Sequence, residues 1–271
     1  MDVVILDGPM GTELQARGRA LPAPLWSAAA LVDSPELVRD VHRDYARAGA
    51  TVHTTNTFRT KRRSAGEQWA ELTRRAVEIA RSAVPTGHRI AGSIAPLEDC
   101  YHPERSPPEP DAEHDEMARA LAEAGVDLLL CETFPHVGEA MAATRAAVAT
   151  GLETWTSFTA GPEATLLSPA EVRTGAAKAL ELGARVVLVN CTSLRLVDPY
   201  VSALAELGAP FGVYANAGTT EDGIGWKRDP SEGPAMYADA AERWVERGAR
   251  VIGACCGTGP AHVAALAERF A

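Results

Sequence analysis

The sequence predicts an α/β fold, a (β/α)8 TIM barrel forming one domain over residues 1–271, and three observations carry that prediction. The first is a recurring pattern. A helical stretch rich in Ala, Glu and Arg ends in Gly, and a short β-branched run follows: 45–50 before 51–54, 122–126 before 127–130, 180–184 before 185–189, 204–208 before 211–214, and 245–249 before 250–252. The glycines Gly49, Gly125, Gly183, Gly208 and Gly248 read as helix C-caps, where a left-handed residue ends the helix. The runs after them are too short for helices and read as buried parallel strands. The second observation is the count. Strands fall near 3–6, 51–55, 89–94, 127–131, 154–158, 185–190, 211–215 and 250–254. Helices fall near 36–48, 67–84, 112–124, 137–149, 169–182, 198–207, 235–247 and 260–269. The third is spacing: eight units in 271 residues leave roughly 34 each, the size of a βαβ step. A doubly wound open sheet is the alternative, but no Gly-x-Gly-x-x-Gly follows the first strand.

Bulk properties narrow the function. Hydrophobic residues make up 46% and charged residues 23%, an ordinary balance for a chain with a full core. The net charge of −10 argues against a nucleic-acid partner, which needs a basic surface. No apolar run approaches the roughly 20 residues of a membrane span. The N-terminus has neither a basic start nor a long apolar stretch, so no signal peptide is expected. Five cysteines with no export signal suggest a reducing, cytoplasmic setting in which clustered Cys serve metal or catalysis rather than disulfides.

The polar candidates collect at the C-terminal ends of the strands, where a barrel keeps its active site. Strand 1 ends in Asp7-Gly8-Pro9-Met10-Gly11-Thr12, strand 4 in Cys131-Glu132-Thr133-Phe134, strand 6 in Asn190-Cys191-Thr192-Ser193, and strand 8 in Cys255-Cys256. Adjacent cysteines do not readily close a disulfide on each other, and two soft thiols side by side suit a zinc ion. Cys191 is the natural third ligand. Inward side chains of alternate strands share a layer, so strands 6 and 8 converge with Glu132 facing them from strand 4. Three Cys and one open position is the layout of a catalytic zinc. Such a zinc strips the proton from an incoming thiol, and Asp7 or Glu132 beside it suits a substrate ammonium group.

Several residues have blander readings. Cys131 should point away from the site, Cys100 is a loop cysteine, and His53 is a satisfied core histidine. The other histidines show no metal spacing. Asp7 alone could cap the turn before Gly8. The cationic run from Arg59 to Arg63 reads as a solvated helix start; facing a cavity, it would instead predict an anionic group on a substrate.

These residues resemble the homocysteine S-methyltransferases across essentially the whole chain. The markers are the strand 1 motif, Leu25-Trp26-Ser27-Ala28, Thr55-Asn56-Thr57-Phe58, Glu132-Thr133, Asn190-Cys191-Thr192-Ser193 and Gly253-Ala254-Cys255-Cys256-Gly257-Thr258. The Leu-Trp-Ser-Ala stretch is most similar to the S-methylmethionine-dependent branch. The resemblance implies Zn2+ held by Cys191, Cys255 and Cys256. It implies homocysteine held through its amine by Asp7 and Glu132, with Gly8 and Thr55 lining the pocket and Asn216 beside the metal. Three departures stand out: Ala254 where the family usually has Gly, residues 94–99 in place of a Gly-Pro-Tyr-Gly-like stretch, and Arg59 where Tyr or Gln is frequent. No extension of the kind that builds family tetramers is expected, which implies a monomer or weak homo-oligomer. The implied activity is methyl transfer from a sulfonium, S-methylmethionine or S-adenosylmethionine, to the homocysteine thiolate, giving methionine. Transfer to another thiol or selenol, a zinc-binding thiol sensor without turnover, and a zinc hydrolase are the alternatives. Three thiolates make the last the weakest, because they leave zinc a poor Lewis acid for water.

Overall fold

The five glycines expected to end helices all adopt left-handed backbone: Gly49 (φ 102°), Gly125 (86°), Gly183 (111°), Gly208 (62°) and Gly248 (108°). Each releases the chain into a strand, so the helix–Gly–strand pattern is the fold's repeating joint. The computed structural model describes residues 3–220, 226–227 and 233–270. The Gly- and Asp-rich stretch Gly218 to Gly233, which reads from the sequence as a long loop, lies partly outside them.

Eight strands build one parallel sheet: β1 Val4–Ile5, β2 Val52–Thr54, β3 Arg89–Ile94, β4 Leu128–Phe134, β5 Glu153–Phe158, β6 Val186–Ser193, β7 Phe211–Asn216 and β8 Val251–Ile252. Their order is β1-β8-β7-β6-β5-β4-β3-β2. A bridge between Leu6 and Val52 joins the two ends, with Thr51 N–H donating to Ile5 O (2.9 Å) and Asp7 N–H to Val52 O (3.0 Å). The sheet thus closes into the (β/α)8 barrel.

The helices that alternate with the strands are α1 Pro35–Arg47, α2 Trp69–Ala83, α3 Asp111–Glu123, α4 Val137–Ala149, α5 Pro169–Leu182, α6 Asp198–Ala205, α7 Pro234–Glu246 and α8 Pro260–Phe270. Their sequences explain their ends. Proline occupies the first turn of α1, α5, α6 and α7, where its missing N–H costs nothing. Ser168 and Glu171 close a reciprocal capping box on α5. In α1 the buried stripe Val38, Val41, His42, Tyr45 recurs every three or four residues and faces the sheet.

Two apolar layers result. One lies between sheet and helices. The other fills the barrel with Leu6, Val52, Leu128, Leu130, Trp155, Val186, Leu188 and Val251, and its upper edge is Tyr214, Cys191, Cys255 and Cys256. A short helix, Met10–Ala16, follows β1 and was not expected; at seven residues it shows little periodicity. No helix among the described residues is long and apolar enough to cross a membrane.

Candidate active site

Two irregularities in the sheet aim the site. The β4–β5 register shifts between Cys131 and Phe134, and the β6–β7 register shifts between Asn190 and Ser193. Inside these bulges Thr133 (φ 62°) and Cys191 (φ 50°) take left-handed backbone that non-glycine residues rarely adopt. Val186 and Leu188 face the barrel interior, so strict alternation would send Cys191 outward with Val187 and Val189. The bulge returns it to the interior cluster. Asn190 clamps the distortion. Its Oδ1 accepts from Thr133 N–H (3.1 Å) and Ser157 Oγ (2.8 Å), and its Nδ2 donates to Thr133 Oγ1 (2.8 Å) and Cys191 Sγ (3.5 Å).

After β8 the chain turns sharply, which lets adjacent Cys255 and Cys256 share one side. Cys255 N–H donates to Ala215 O (3.0 Å), Ala217 N–H donates to Cys256 O (3.0 Å), and Thr258 Oγ1 donates to Cys255 O (2.7 Å). Gly257 (φ 81°) makes the turn possible, because a Cβ there would lie 1.7 Å from Ala217 O. Tyr237 Oη accepts from Ala215 N–H (3.0 Å) and lies 2.9 Å from both Ala215 O and Gly253 O, tying β7 to the turn. Ala254, in place of the second glycine, is buried without disturbing this arrangement.

The sulfurs of Cys191, Cys255 and Cys256 lie within 4.8 Å of one another, and those of Cys191 and Cys255 are 2.7 Å apart. All three cysteines are nearly buried, at 6%, 8% and 9% exposure. Hydrogen bonds from Cys191 and Cys256 pull the Cys255 thiol well below its ordinary pKa, and Cys191 is pushed up in turn. The trio behaves as one thiolate sharing the protons of two thiols, a donor set suited to a soft divalent metal. Asn216, between Ala215 and Ala217, which pair with the cysteine turn, is fully buried with neither side-chain polar atom bonded. Such an orphan in a donor-rich corner fits a missing polar partner.

The thiols open into a cavity of about 480 Å3 whose wall also includes Asp7, Gly8, Thr55 and Glu132. The expected site residues are therefore gathered on one cavity, with Asn216 behind its wall. Glu132 accepts from Ser93 Oγ and from Tyr214 Oη (3.3 Å). Burial raises its carboxyl to about 7, and the field of Cys255 adds to the rise. Asp7 accepts from Thr54 N–H (2.9 Å), yet burial and then Glu132 hold it well above the carboxylate range. Two buried carboxyls raised together, with no ion pair among the described residues, suit a cationic group. Thr55 spends its hydroxyl on Thr57 Oγ1 (2.8 Å) and Ser93 N–H (3.1 Å), leaving shape as its contribution to the wall. Gly8 admits the Tyr45 ring, which a Cβ would meet at 2.6 Å.

A second grouping, Asp7, His42 and His53, also brings one ligand atom each within 4.8 Å. The histidines lie behind the cavity wall, between α1 and β2, and only Asp7 reaches the cavity. Burial pushes His42 down to about 4 and His53 to about 3, so both are neutral packing residues. His53 meets His88 (Nε2 to Nδ1, 3.0 Å) but leaves its own Nδ1 unbonded, so the expected core histidine is only half satisfied.

Sequence reasoning missed the far wall. Trp26 and Phe58 pack edge to face at 6.0 Å, and Tyr101 descends toward the thiols, whose charges raise its hydroxyl further after burial. Tyr101 belongs to the loop after β3, where Glu139 of α4 accepts from Leu97 N–H and Ser106 Oγ (2.6 Å each). Cys131 packs outward as expected; Cys100, expected as a plain loop cysteine, is buried on the cavity wall. The cationic run is split: Arg62 and Arg63 are exposed in a short helix, Arg62–Ala65, as expected of a solvated helix start, but the residues before them turn inward. Lys61 is buried and donates to Pro96 O, and Arg59 and Arg63 line the cavity.

The comparisons agree with this geometry. A homocysteine S-methyltransferase family model matches residues 4–270. The Escherichia coli homocysteine S-methyltransferase is 35% identical, covering 99% of this chain and 95% of that protein. The S-methylmethionine–homocysteine S-methyltransferase BHMT2 of Pongo abelii is 28% identical, covering 100% and 79%. The crystal structure of the E. coli homocysteine methyltransferase MmuM in its metallated form superposes with a TM-score of 0.82 at 30% identity, covering 99% of this chain and 96% of that one. With the model matched nearly end to end and the barrel shared, this chain belongs to the homocysteine S-methyltransferase family.

Proposed function

We propose that residues 1–271 form one homocysteine-binding barrel domain that transfers a methyl group from a sulfonium donor to homocysteine in a zinc-dependent reaction, giving methionine. The observation that carries this reading is the sharing of one cavity by three convergent cysteines and two buried carboxyls that make no ion pair among the described residues. Cys191, Cys255 and Cys256 would hold the zinc, which when bound lowers the pKa of a thiol entering its open position. The close sulfurs, the depressed Cys255 thiol and the orphaned Asn216 support this assignment.

The chain's own residues do the rest. Asp7 and Glu132 take the homocysteine ammonium, whose charge restores both to carboxylates. Gly8 and Thr55 shape the acceptor end. The rings of Trp26 and Tyr101, beside a Phe58 ring that already carries Arg59 and Lys61, line the cavity, attract a sulfonium and exclude water from the path of the methyl group. Positioning two substrates in line is the main demand, since the donor already carries its leaving group. The Pongo abelii relative, named for S-methylmethionine, favours that donor over S-adenosylmethionine. Five free cysteines fit a cytoplasmic setting.

A methylation assay with homocysteine and a donor panel tests the reading. Methionine formation with S-methylmethionine is expected. Zinc-loaded protein that makes no product with any donor would instead support a thiol-sensing barrel.

A further inference from the structure

Around the cavity, beyond the acceptor end, one cation and one anion make no ion pair among the described residues. Among the described residues, six charged ones line it: Asp7, Arg59, Arg63, Glu98, Asp99 and Glu132. Asp7 and Glu132 belong to the acceptor end. Arg63 is held by Glu98 and, bidentate, by Glu113 (2.6 and 2.8 Å). The neighbouring cation Lys61 is buried against Pro96 O.

Arg59 differs from both. It is half-buried, lies over the Phe58 ring at 5.7 Å, and makes no ion pair among the described residues. Asp99 accepts Tyr101 N–H (2.9 Å) and likewise has no cationic partner within 4.0 Å among them. Both line the cavity with Cys100, and their charges act on its thiol with opposite sign. A guanidinium and a carboxylate therefore face the cavity together on loops after β2 and β3, without neutralising each other. A partly desolvated pair held this way complements a zwitterion better than it does water.

We infer that Arg59 and Asp99 form a subsite for the α-amino-acid head of the methyl donor, Arg59 taking its carboxylate and Asp99 its ammonium. The inference rests on the sulfonium reading above and adds which residues of this chain recognise the donor's head group. Phe58 carries Arg59 on its face and also lies in the wall with Trp26 and Tyr101, so the head-group charges adjoin the aromatic surface that receives the sulfonium. Homocysteine's ammonium is already provided for at Asp7 and Glu132, which leaves this second pair to the second substrate.

Three donors separate the contributions: S-methylmethionine has carboxylate and ammonium, dimethylsulfoniopropionate has carboxylate alone, and trimethylsulfonium has neither. Arg59→Met should raise KM for the first two by about 10- to 100-fold and leave trimethylsulfonium unchanged. Asp99→Asn should raise KM for S-methylmethionine alone. Homocysteine KM should stay level in both variants, and Arg59→Lys should recover part of the loss. Equal changes for all three donors, or a rise in homocysteine KM instead, would overturn the subsite. Wild-type enzyme that uses neither these three nor S-adenosylmethionine, while methylating homocysteine from a donor that is not a sulfonium, would overturn the sulfonium reading and the subsite with it. Thermal unfolding of each variant separates a folding defect from a binding one.

Discussion

Asn190 and Thr133 hold each other across the barrel mouth: the Asn190 amide accepts from Thr133 N–H (3.1 Å) and donates to Thr133 Oγ1 (2.8 Å). Thr133 and the residue after Asn190, Cys191, are both in left-handed backbone. The clasp therefore stabilises two strained positions and aims one thiol. Asn190→Ala should destabilise the fold by about 3 kcal/mol, since Thr133 N–H and the Ser157 hydroxyl lose a buried acceptor. It should also weaken metal affinity by about 10- to 100-fold. Chemical denaturation and competitive zinc titration read the two effects; unchanged affinity would show that Cys191 is placed without Asn190.

Glu132 predicts a pH dependence in acceptor binding. Its carboxyl is raised to about 7, mainly by burial, so the group gains a proton as pH falls through that value. Ammonium capture needs the ionised form. Homocysteine KM should therefore climb below about pH 7, measured at saturating donor. Glu132→Gln should raise KM by about 10- to 100-fold at pH 8 and lose this pH response. An identical acid limb in both proteins would assign it to another group.

His42 predicts an acid limit to stability. Its folded pKa of about 4 lies below the ordinary 6.5, so the unfolded chain binds the extra proton between those values. Stability is retained above about pH 6.5 and lost as pH falls toward 4. The loss from His42 alone amounts to about 3 kcal/mol at pH 4. His42→Leu removes this contribution while other titrations remain, so the gap between the two unfolding curves should close or reverse on acidification. A pH-independent gap would mean that His42 titrates normally.

Gly257→Ala tests the cysteine turn. The added Cβ meets Ala217 O at 1.7 Å in a backbone of φ 81°, so the turn must open. Metal binding should be lost or fall at least about 100-fold, with a stability loss of about 3 kcal/mol. Near-normal zinc content in this variant would show that the turn relaxes freely.

The strands and helices were legible because the helix–Gly–strand joint repeats, and every expected helix appears within two residues of its expected ends. The convergence of Cys191 with Cys255 and Cys256 was legible too, though alternate-strand layering was an incomplete reason for it. Along β6, alternation alone points Cys191 outward, and a bulge at a non-glycine residue corrects it. No residue type announces such a bulge, because the strain is sustained by the distant Asn190–Thr133 clasp. The Arg59–Arg63 run was legible at Arg62 and Arg63, which start an exposed helical turn, and misled at Arg59 and Lys61. Its charges suggest solvent, but the loop after β2 folds over the barrel mouth, where Pro96 O and the Phe58 ring accommodate Lys61. Tyr101 was hidden in a Pro-rich loop whose position depends on the buried Glu139.

Zinc content per chain, compared between the wild-type protein and Cys255→Ser after identical metal loading and desalting, tests the central claim most directly. The three-cysteine site predicts about one zinc per wild-type chain and little in the variant; equal zinc in the two proteins would contradict it.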